Sequence, residues 1–180
     1  MAKQDFRFHF PLRVRWPECD AQGIAFNGVY LTWAEVAYSE YCRNLGFKLY
    51  KAAELNAFDT VTVKITVEYK APAYVDEMME VFVRNAHMGN SSLTLEFELY
   101  REDQQELIAS IQGIYATYDN QLRKTYPIPT EIRQLFSHYE GTGEVLGFSK
   151  LSGIGWDNIC LLYTSPSPRD ATLSRMPSSA

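Results

Sequence analysis

Apolar and polar residues alternate along five stretches of the chain, which predicts five β-strands. These stretches are 6–16, 60–70, 77–88, 92–101 and 106–118. In the second of them, Val61, Val63 and Ile65 alternate with threonine and lysine. Residues 89–90 (Gly-Asn) are a hairpin signal. The last stretch is apolar or small on both sides, which is typical of a central strand.

One long segment, 27–45, has helical spacing instead. Its apolar residues, among them Tyr30 and Trp33, recur every three to four positions, and other apolar residues occupy the remaining sides. We therefore predict a central helix that is enclosed on nearly every side. Shorter helical segments are expected within 47–57 and at 129–139.

The order of these elements is one strand, the long helix and then four strands. Consecutive antiparallel strands that pack on one helix predict an α+β fold, with an antiparallel five-stranded sheet wrapped around a long central helix. The other face of the sheet is expected to be partly apolar and covered by a second copy of the protein.

The character of the sequence changes after residue 140, which predicts one folded domain over 1–140 and a tail over 141–180. Residues 141–143 (Gly-Thr-Gly) are typical of a linker, and the Ser- and Pro-rich end is expected to be disordered. Residues 160–180 resemble translated sequencing-adaptor sequence. We therefore expect that stretch to be artefactual and to contribute nothing to fold or function.

The composition narrows the classes of function. The chain has 180 residues, a net charge of −5 and no basic face, so nucleic-acid binding is not expected. Its three cysteines are far apart, which argues against a zinc site or a disulfide framework. No apolar run suits a signal peptide or a membrane span. We expect a cytoplasmic protein with no metal and no membrane insertion.

Asp20 is the main candidate for chemistry. It stands at the end of the first strand-like run, and a short Gly-containing loop leads from it to the start of the long helix at Asn27 and Gly28. A helix start presents unpaired N–H groups and the positive end of a dipole. A nearby carboxylate can attack a carbonyl that these groups polarise, or activate water against it. The alternative is that Asp20 only caps a turn.

Three other residues have both a functional and a structural interpretation. Glu35 lies within the apolar helix, where it is either a second acid or, as we favour, a hydrogen-bonded helix carboxylate. Asn27 either contributes its backbone N–H to a substrate site or caps the helix with its side-chain oxygen, and both roles can hold together, because capping leaves other N–H groups free. Tyr30 is expected to belong chiefly to the core and to line an acyl pocket with part of its ring.

Four segments together form a more specific pattern. They are the acid-x-x-Gly entry to the helix in 20–35, the segment 69–76 (Tyr-Lys-Ala-Pro-Ala and a later Asp), the turn 89–92 (Gly-Asn-Ser-Ser), and the end of the last strand at 118–119 (Tyr-Asp). This pattern resembles the 4-hydroxybenzoyl-CoA thioesterase-like branch of the hotdog-fold superfamily, over roughly residues 6–139.

The resemblance implies an acyl-CoA thioesterase that hydrolyses a thioester to a free carboxylic acid and coenzyme A. Asp20 would supply the catalytic carboxylate, as nucleophile or as general base. The backbone N–H of Asn27 or Gly28 would polarise the thioester carbonyl. Two alternatives stay open: a thioesterase for acyl carrier protein, and a non-catalytic acyl-CoA-binding or sensor module.

The resemblance also implies how the substrate is bound. Gly23, Tyr30 and Glu35 are expected in the substrate-binding set, and coenzyme A would cross a subunit boundary near Ser91 and Ser92. Coenzyme A enters as part of the substrate, so no separate cofactor is expected. The protein is expected to be a homo-oligomer, either a dimer or a tetramer built from dimers.

Overall fold

Five antiparallel strands form a single sheet in the computed structural model, which describes residues 3–102 and 104–146. The strands are β1 (Phe8–Arg13), β2 (Thr60–Tyr69), β3 (Met78–Met88), β4 (Ser92–Arg101) and β5 (Leu107–Thr117). They lie in the order β1-β3-β4-β5-β2, so β1 and β2 form the two edges. The predicted α+β class and the five strands are confirmed.

Helix α1 (Val29–Asn44) packs against one face of this sheet with a buried aromatic side that includes Trp33, Tyr38 and Tyr41. The prediction that the helix is enclosed on nearly every side is wrong for the single chain. Its opposite side carries Glu35 and Val36, and both residues are exposed. A polar residue on that side keeps the apolar stripe to one face, as in an ordinary amphipathic helix.

The first strand is shorter than the predicted 6–16, because the chain leaves the sheet after Arg13. Trp16–Glu18 form a single 3₁₀ turn with Pro17 in its first positions. Proline cannot donate a ladder hydrogen bond, so the strand pattern of the sequence does not continue there. Asp20 therefore follows a turn and not the end of a strand.

Two shorter helices complete the described chain. Helix α2 (Leu49–Glu54) lies within the predicted segment, and helix α3 (Thr130–Thr142) runs three residues beyond the predicted 129–139. Gly143, at φ +80°, ends α3 in the left-handed conformation typical of a helix C-terminus. The predicted start of the linker at 141 thus falls inside the helix. Most of the predicted tail, from 147 onward, lies outside the described residues.

The face of the sheet turned away from α1 carries many polar and charged residues. Arg84 pairs there with Glu96 at 2.8 Å. Its apolar part is a small cluster of Phe82 and Tyr100 with Phe6 packed on it. The chain's own N-terminal residues thus cover the apolar part, where we had expected a second copy. In the part of the chain that is described, no helix is both long and apolar enough to cross a membrane.

Candidate active site

A tight turn presents Asp20. The backbone N–H of Asp20 donates to Ile24 O at 2.9 Å, and Gly23 N–H donates back to Asp20 O at 3.0 Å. Gly23 adopts φ +75°, a conformation that residues with a side chain rarely take. The carboxylate oxygen Oδ1 of Asp20 accepts the Gln22 N–H at 2.8 Å. Asp20 therefore does cap its turn, as the alternative interpretation held.

That capping role leaves Asp20 available for chemistry. Its other oxygen, Oδ2, accepts no hydrogen bond from any described residue, and the residue is exposed. The turn is tied to the segment after β2, because Ala25 N–H donates to Ala73 O at 2.8 Å. The loop that carries Asp20 is therefore held by hydrogen bonds within its own turn and by one to the segment after β2.

A cavity of about 620 Å³ opens beside this carboxylate. Its walls come from the loop before α1, from the first turn of α1 and from the segment that ends β2. The lining residues are Asp20, Ile24, Ala25, Phe26, Asn27, Tyr30, Tyr69, Lys70, Ala71 and Pro72. Three residues that the sequence singled out, Asp20, Asn27 and Tyr30, are therefore brought together in one pocket.

The start of α1 faces this pocket without a side-chain cap. Gly28, and not Asn27, occupies the N-cap position, and no side chain bonds to the first turn. The alternative interpretation of Asn27 as the helix cap is therefore wrong. The Phe26 carbonyl accepts Val29 N–H at 2.9 Å, whereas the N–H groups of Asn27 and Gly28 donate to none of the described residues. Two unpartnered donors therefore lie at the positive end of the helix.

Tyr69 joins the sheet to this helix start. Its hydroxyl donates to the Asn27 carbonyl oxygen at 2.7 Å. Its ring meets the Tyr30 ring edge-on, with 5.1 Å between centroids. Tyr30 is buried, and burial raises the pKa of its hydroxyl, so it stays neutral. Sequence reasoning gave Tyr69 no role, although the Tyr-Lys-Ala-Pro-Ala segment that contains it was one of the four motifs.

Glu18 is a second residue that sequence reasoning missed. Its carboxylate accepts the Trp33 indole N–H at 3.1 Å and the Arg15 backbone N–H at 2.8 Å. Its own carbonyl oxygen accepts Phe26 N–H at 2.9 Å. Burial raises the pKa of Glu18, but the hydrogen bonds from Arg15 and Trp33 outweigh it and hold the pKa below its usual value. This carboxylate ties the Asp20 loop to helix α1.

Glu35 lies outside the pocket lining. Its Oε1 accepts the Tyr115 hydroxyl at 2.9 Å, so it is hydrogen-bonded as we favoured. The residue as a whole is exposed, yet its carboxylate lies partly desolvated against Tyr115. This partial burial raises the pKa of Glu35, and the Tyr115 hydrogen bond lowers it by less. A role of Glu35 in substrate binding stays a prediction.

Ser91 and Ser92 do not reach the pocket of their own chain. Ser92 pairs with Ala116 and Thr60 pairs with Thr117, all at one end of the sheet. Tyr69, which lines the pocket, lies at the other end of β2. Nine residue steps at ~3.3 Å separate the two ends by roughly 30 Å. Gly23 is likewise absent from the pocket lining. Its positive φ in the Asp20 turn explains why a glycine occupies this position.

The described residues hold no group of three or more His, Cys, Asp or Glu side chains placed to bind a metal ion. What the pocket does combine is one carboxylate oxygen that receives no hydrogen bond, the free amide donor of Asn27 and mostly apolar walls, whereas Gly28 is not among its lining residues. A carboxylate beside donors that stabilise a developing oxyanion suits acyl transfer.

The fold is a hotdog fold, and its pocket places the Asp20 carboxylate beside the start of helix α1. The family model of the thioesterase superfamily matches residues 22–108 of this chain. An "Acyl-CoA thioesterase YbgC" of Haemophilus influenzae is 26% identical over 134 residues, which cover 74% of this chain and 97% of that protein. An "Acyl-CoA thioester hydrolase YbgC" of Escherichia coli O6:H1 is 37% identical over 87 residues, which cover 48% and 63% respectively.

Solved structures support the fold independently. A thioesterase from Thermus thermophilus, crystallised with coenzyme A and Zn, superposes with a TM-score of 0.66 at 24% identity. The match covers 77% of this chain and 97% of that one. The hotdog fold predicted from the sequence pattern is therefore confirmed.

Proposed function

We propose that this chain hydrolyses acyl-CoA thioesters, with Asp20 as the catalytic carboxylate and the amides of Asn27 and Gly28 as oxyanion donors. One observation carries the proposal: an Asp20 carboxylate oxygen that accepts no hydrogen bond and the unpartnered N–H of Asn27 belong to residues that line the same pocket, and the unpartnered N–H of Gly28 follows Asn27 directly in the chain. The relatives named as acyl-CoA thioesterases support the substrate class.

Two chemical routes fit this arrangement. In the first, Asp20 attacks the thioester carbonyl, the carbon–sulfur bond breaks, and coenzyme A leaves as a thiolate that takes a proton from water. Water then hydrolyses the mixed anhydride and restores the carboxylate. In the second, Asp20 takes a proton from an attacking water, and that proton passes to the departing sulfur. In both routes the negative charge on the carbonyl oxygen develops beside the amides of Asn27 and Gly28.

The test is a panel of acyl-CoA substrates with detection of the free thiol. Asp20→Asn should lower kcat by about 10²- to 10⁴-fold, the range for one acid–base group. Asp119→Asn is the matched control, because Asp119 Oδ1 also caps a turn, accepting Gln121 N–H at 2.8 Å, but lies outside the pocket. Full turnover by Asp20→Asn would remove Asp20 from the mechanism. Tight acyl-CoA binding without thiol release would favour a sensor module, and faster release from acyl carrier protein would favour that carrier.

A single turnover in H₂¹⁸O tests for the anhydride route. Transfer of ¹⁸O into the Asp20 carboxylate, detected by mass spectrometry of the digested protein, requires the mixed anhydride. Label in the product acid alone results from general-base catalysis, and also from an anhydride that water opens at its acyl carbon.

We further propose that two copies associate through the free edge of β2. Among the described strands, β2 pairs only with β5, and Val61 and Val63 on it are 37% and 63% exposed. A twofold axis at this edge would set the two β2 strands antiparallel. The end of the sheet that holds the partner subunit's Ser91 would then lie alongside the pocket end of this chain, which is what a coenzyme A site shared between subunits requires.

Light scattering tests this association and counts the copies. Val63→Asp should shift the molar mass toward the monomer, whereas Leu122→Asp, at a residue 65% exposed in the loop after β5, should not. A dimer or a tetramer in the unmodified protein agrees with the proposal. An active, strictly monomeric protein would contradict it.

A further inference from the structure

The peptide group between Asn27 and Gly28 has an unusual anchor. The only hydrogen bond that the described residues make to the Asn27 carbonyl oxygen comes from the hydroxyl of Tyr69, at 2.7 Å. Tyr69 follows Asn27 by 42 residues and is the last residue of β2. Sheet and helix start are therefore joined at the peptide that holds one of the two free amide donors.

The geometry of a peptide group turns this anchor into a constraint on the donor. A trans peptide is planar, and its C=O and N–H bonds point in opposite directions. Holding the Asn27 oxygen therefore fixes the direction of the Gly28 N–H. Without that hold, rotation of the plane is easy on the glycine side, because Gly28 has no side chain and α1 begins only at Val29.

Tyr69 is itself well placed to act as a fixed point. Its backbone belongs to the sheet and pairs with Ala109 of β5. Its ring stands edge-on to the buried ring of Tyr30 in the first turn of α1, with an interplanar angle of 85°. The hydroxyl thus connects two rigid elements at the wall of the pocket, while half of the residue, 49%, stays exposed.

We propose that Tyr69 is a positioning residue of the reaction, whose hydroxyl holds the Asn27–Gly28 peptide so that the Gly28 N–H meets the developing oxyanion. This inference rests on the proposed thioesterase function. A donor that points correctly before the reaction stabilises the transition state more than the bound substrate, so its loss lowers kcat. Removal of a whole oxyanion donor costs about 10²- to 10³-fold, and a donor that is only loosened should cost about 10- to 100-fold.

The experiment is Tyr69→Phe, which removes one oxygen and keeps the ring contact with Tyr30. We expect kcat to fall about 10- to 100-fold with KM within about twofold, and by the same factor for every acyl group, because the carbonyl oxygen is common to all of them. Tyr50→Phe is the control, since Tyr50 is 75% exposed and lies outside the pocket. Unchanged kcat, or a loss confined to KM or to certain acyl groups, would overturn the inference.

A second readout does not depend on activity. In NMR spectra of the intact protein, Tyr69→Phe should shift or broaden the Gly28 amide resonance, and Tyr50→Phe should leave it in place. An unchanged Gly28 resonance would refute the inference even if the enzyme were impaired. A parent protein that releases no thiol while the Gly28 resonance responds to Tyr69→Phe would instead refute the proposed function and leave the anchor established.

Discussion

The hydrogen bond from Trp33 to Glu18 is expected to stabilise the loop that carries Asp20. Trp33 is 2% exposed, and the acceptor of its indole N–H is the Glu18 carboxylate. The Glu18 side chain is 9% exposed and accepts this N–H at 3.1 Å. Through its carbonyl oxygen Glu18 also holds Phe26, which precedes Asn27. Loss of the Glu18–Trp33 hydrogen bond should therefore loosen both the loop that carries Asp20 and the start of helix α1.

A double-mutant cycle isolates the size of this contact. Hydrogen bonds to charged groups contribute about 1.5–3 kcal/mol. Glu18→Ala removes this bond together with the bonds from Arg15, and Trp33→Phe removes it together with some packing. The Arg15 and packing contributions appear in both arms of the cycle and cancel, so the coupling free energy should be about 1.5–3 kcal/mol.

The assay is urea unfolding followed by far-ultraviolet circular dichroism, at one protein concentration because association affects the result. The variants should share one m-value. A coupling below about 0.5 kcal/mol, the usual error of additivity, would refute the reasoning.

The pH dependence of stability gives a second check. The pKa of Glu18 is lower in the folded protein than in the unfolded chain, where it is about 4.3. The ionised carboxylate therefore stabilises the folded protein above about pH 4.3, and this stabilisation is lost as pH falls through the folded pKa. Glu18→Ala should lack that loss.

Two further predictions concern stability. Because partial burial raises the pKa of Glu35, the free energy of unfolding should fall as pH rises from about 4.3 through the folded pKa. Glu35→Gln should remove that fall. If the free energies of unfolding of Glu35→Gln and the parent differed by the same amount at about pH 4 and about pH 8, the reasoning would be contradicted. Gly23→Ala should destabilise by about 1 kcal/mol through its positive φ alone, since an added Cβ meets nothing within 4 Å. Gly141→Ala, equally unobstructed but inside α3, should stabilise by about 0.5–1 kcal/mol, and equal effects of the two substitutions in thermal unfolding would refute the backbone argument.

Local sequence patterns were sufficient for most elements of this protein. Strands and helices depend on the periodic burial of residues that are close in the chain, so β2 to β5 were predicted to within about one residue at each end. Asp20 was chosen as the candidate carboxylate for the same reason: acid, glycine loop and helix start are neighbours in sequence. The first strand was overextended, because the turn at Trp16–Glu18 depends on a proline and on the Glu18 carboxylate as well as on alternation.

Contacts between distant segments were decided only by the tertiary structure. The hydroxyl of Tyr69 reaches Asn27 across 42 residues, and Glu18 reaches Trp33 across 15, and neither pairing leaves a periodic trace in the sequence. The order of the strands likewise decided that Ser92 and Tyr69 stand at opposite ends of the sheet. Sequence alone singled out the candidate residues for the chemistry, because that choice depends on side-chain type and local spacing. The fold determined which of them meet, because packing joins residues irrespective of their separation along the chain.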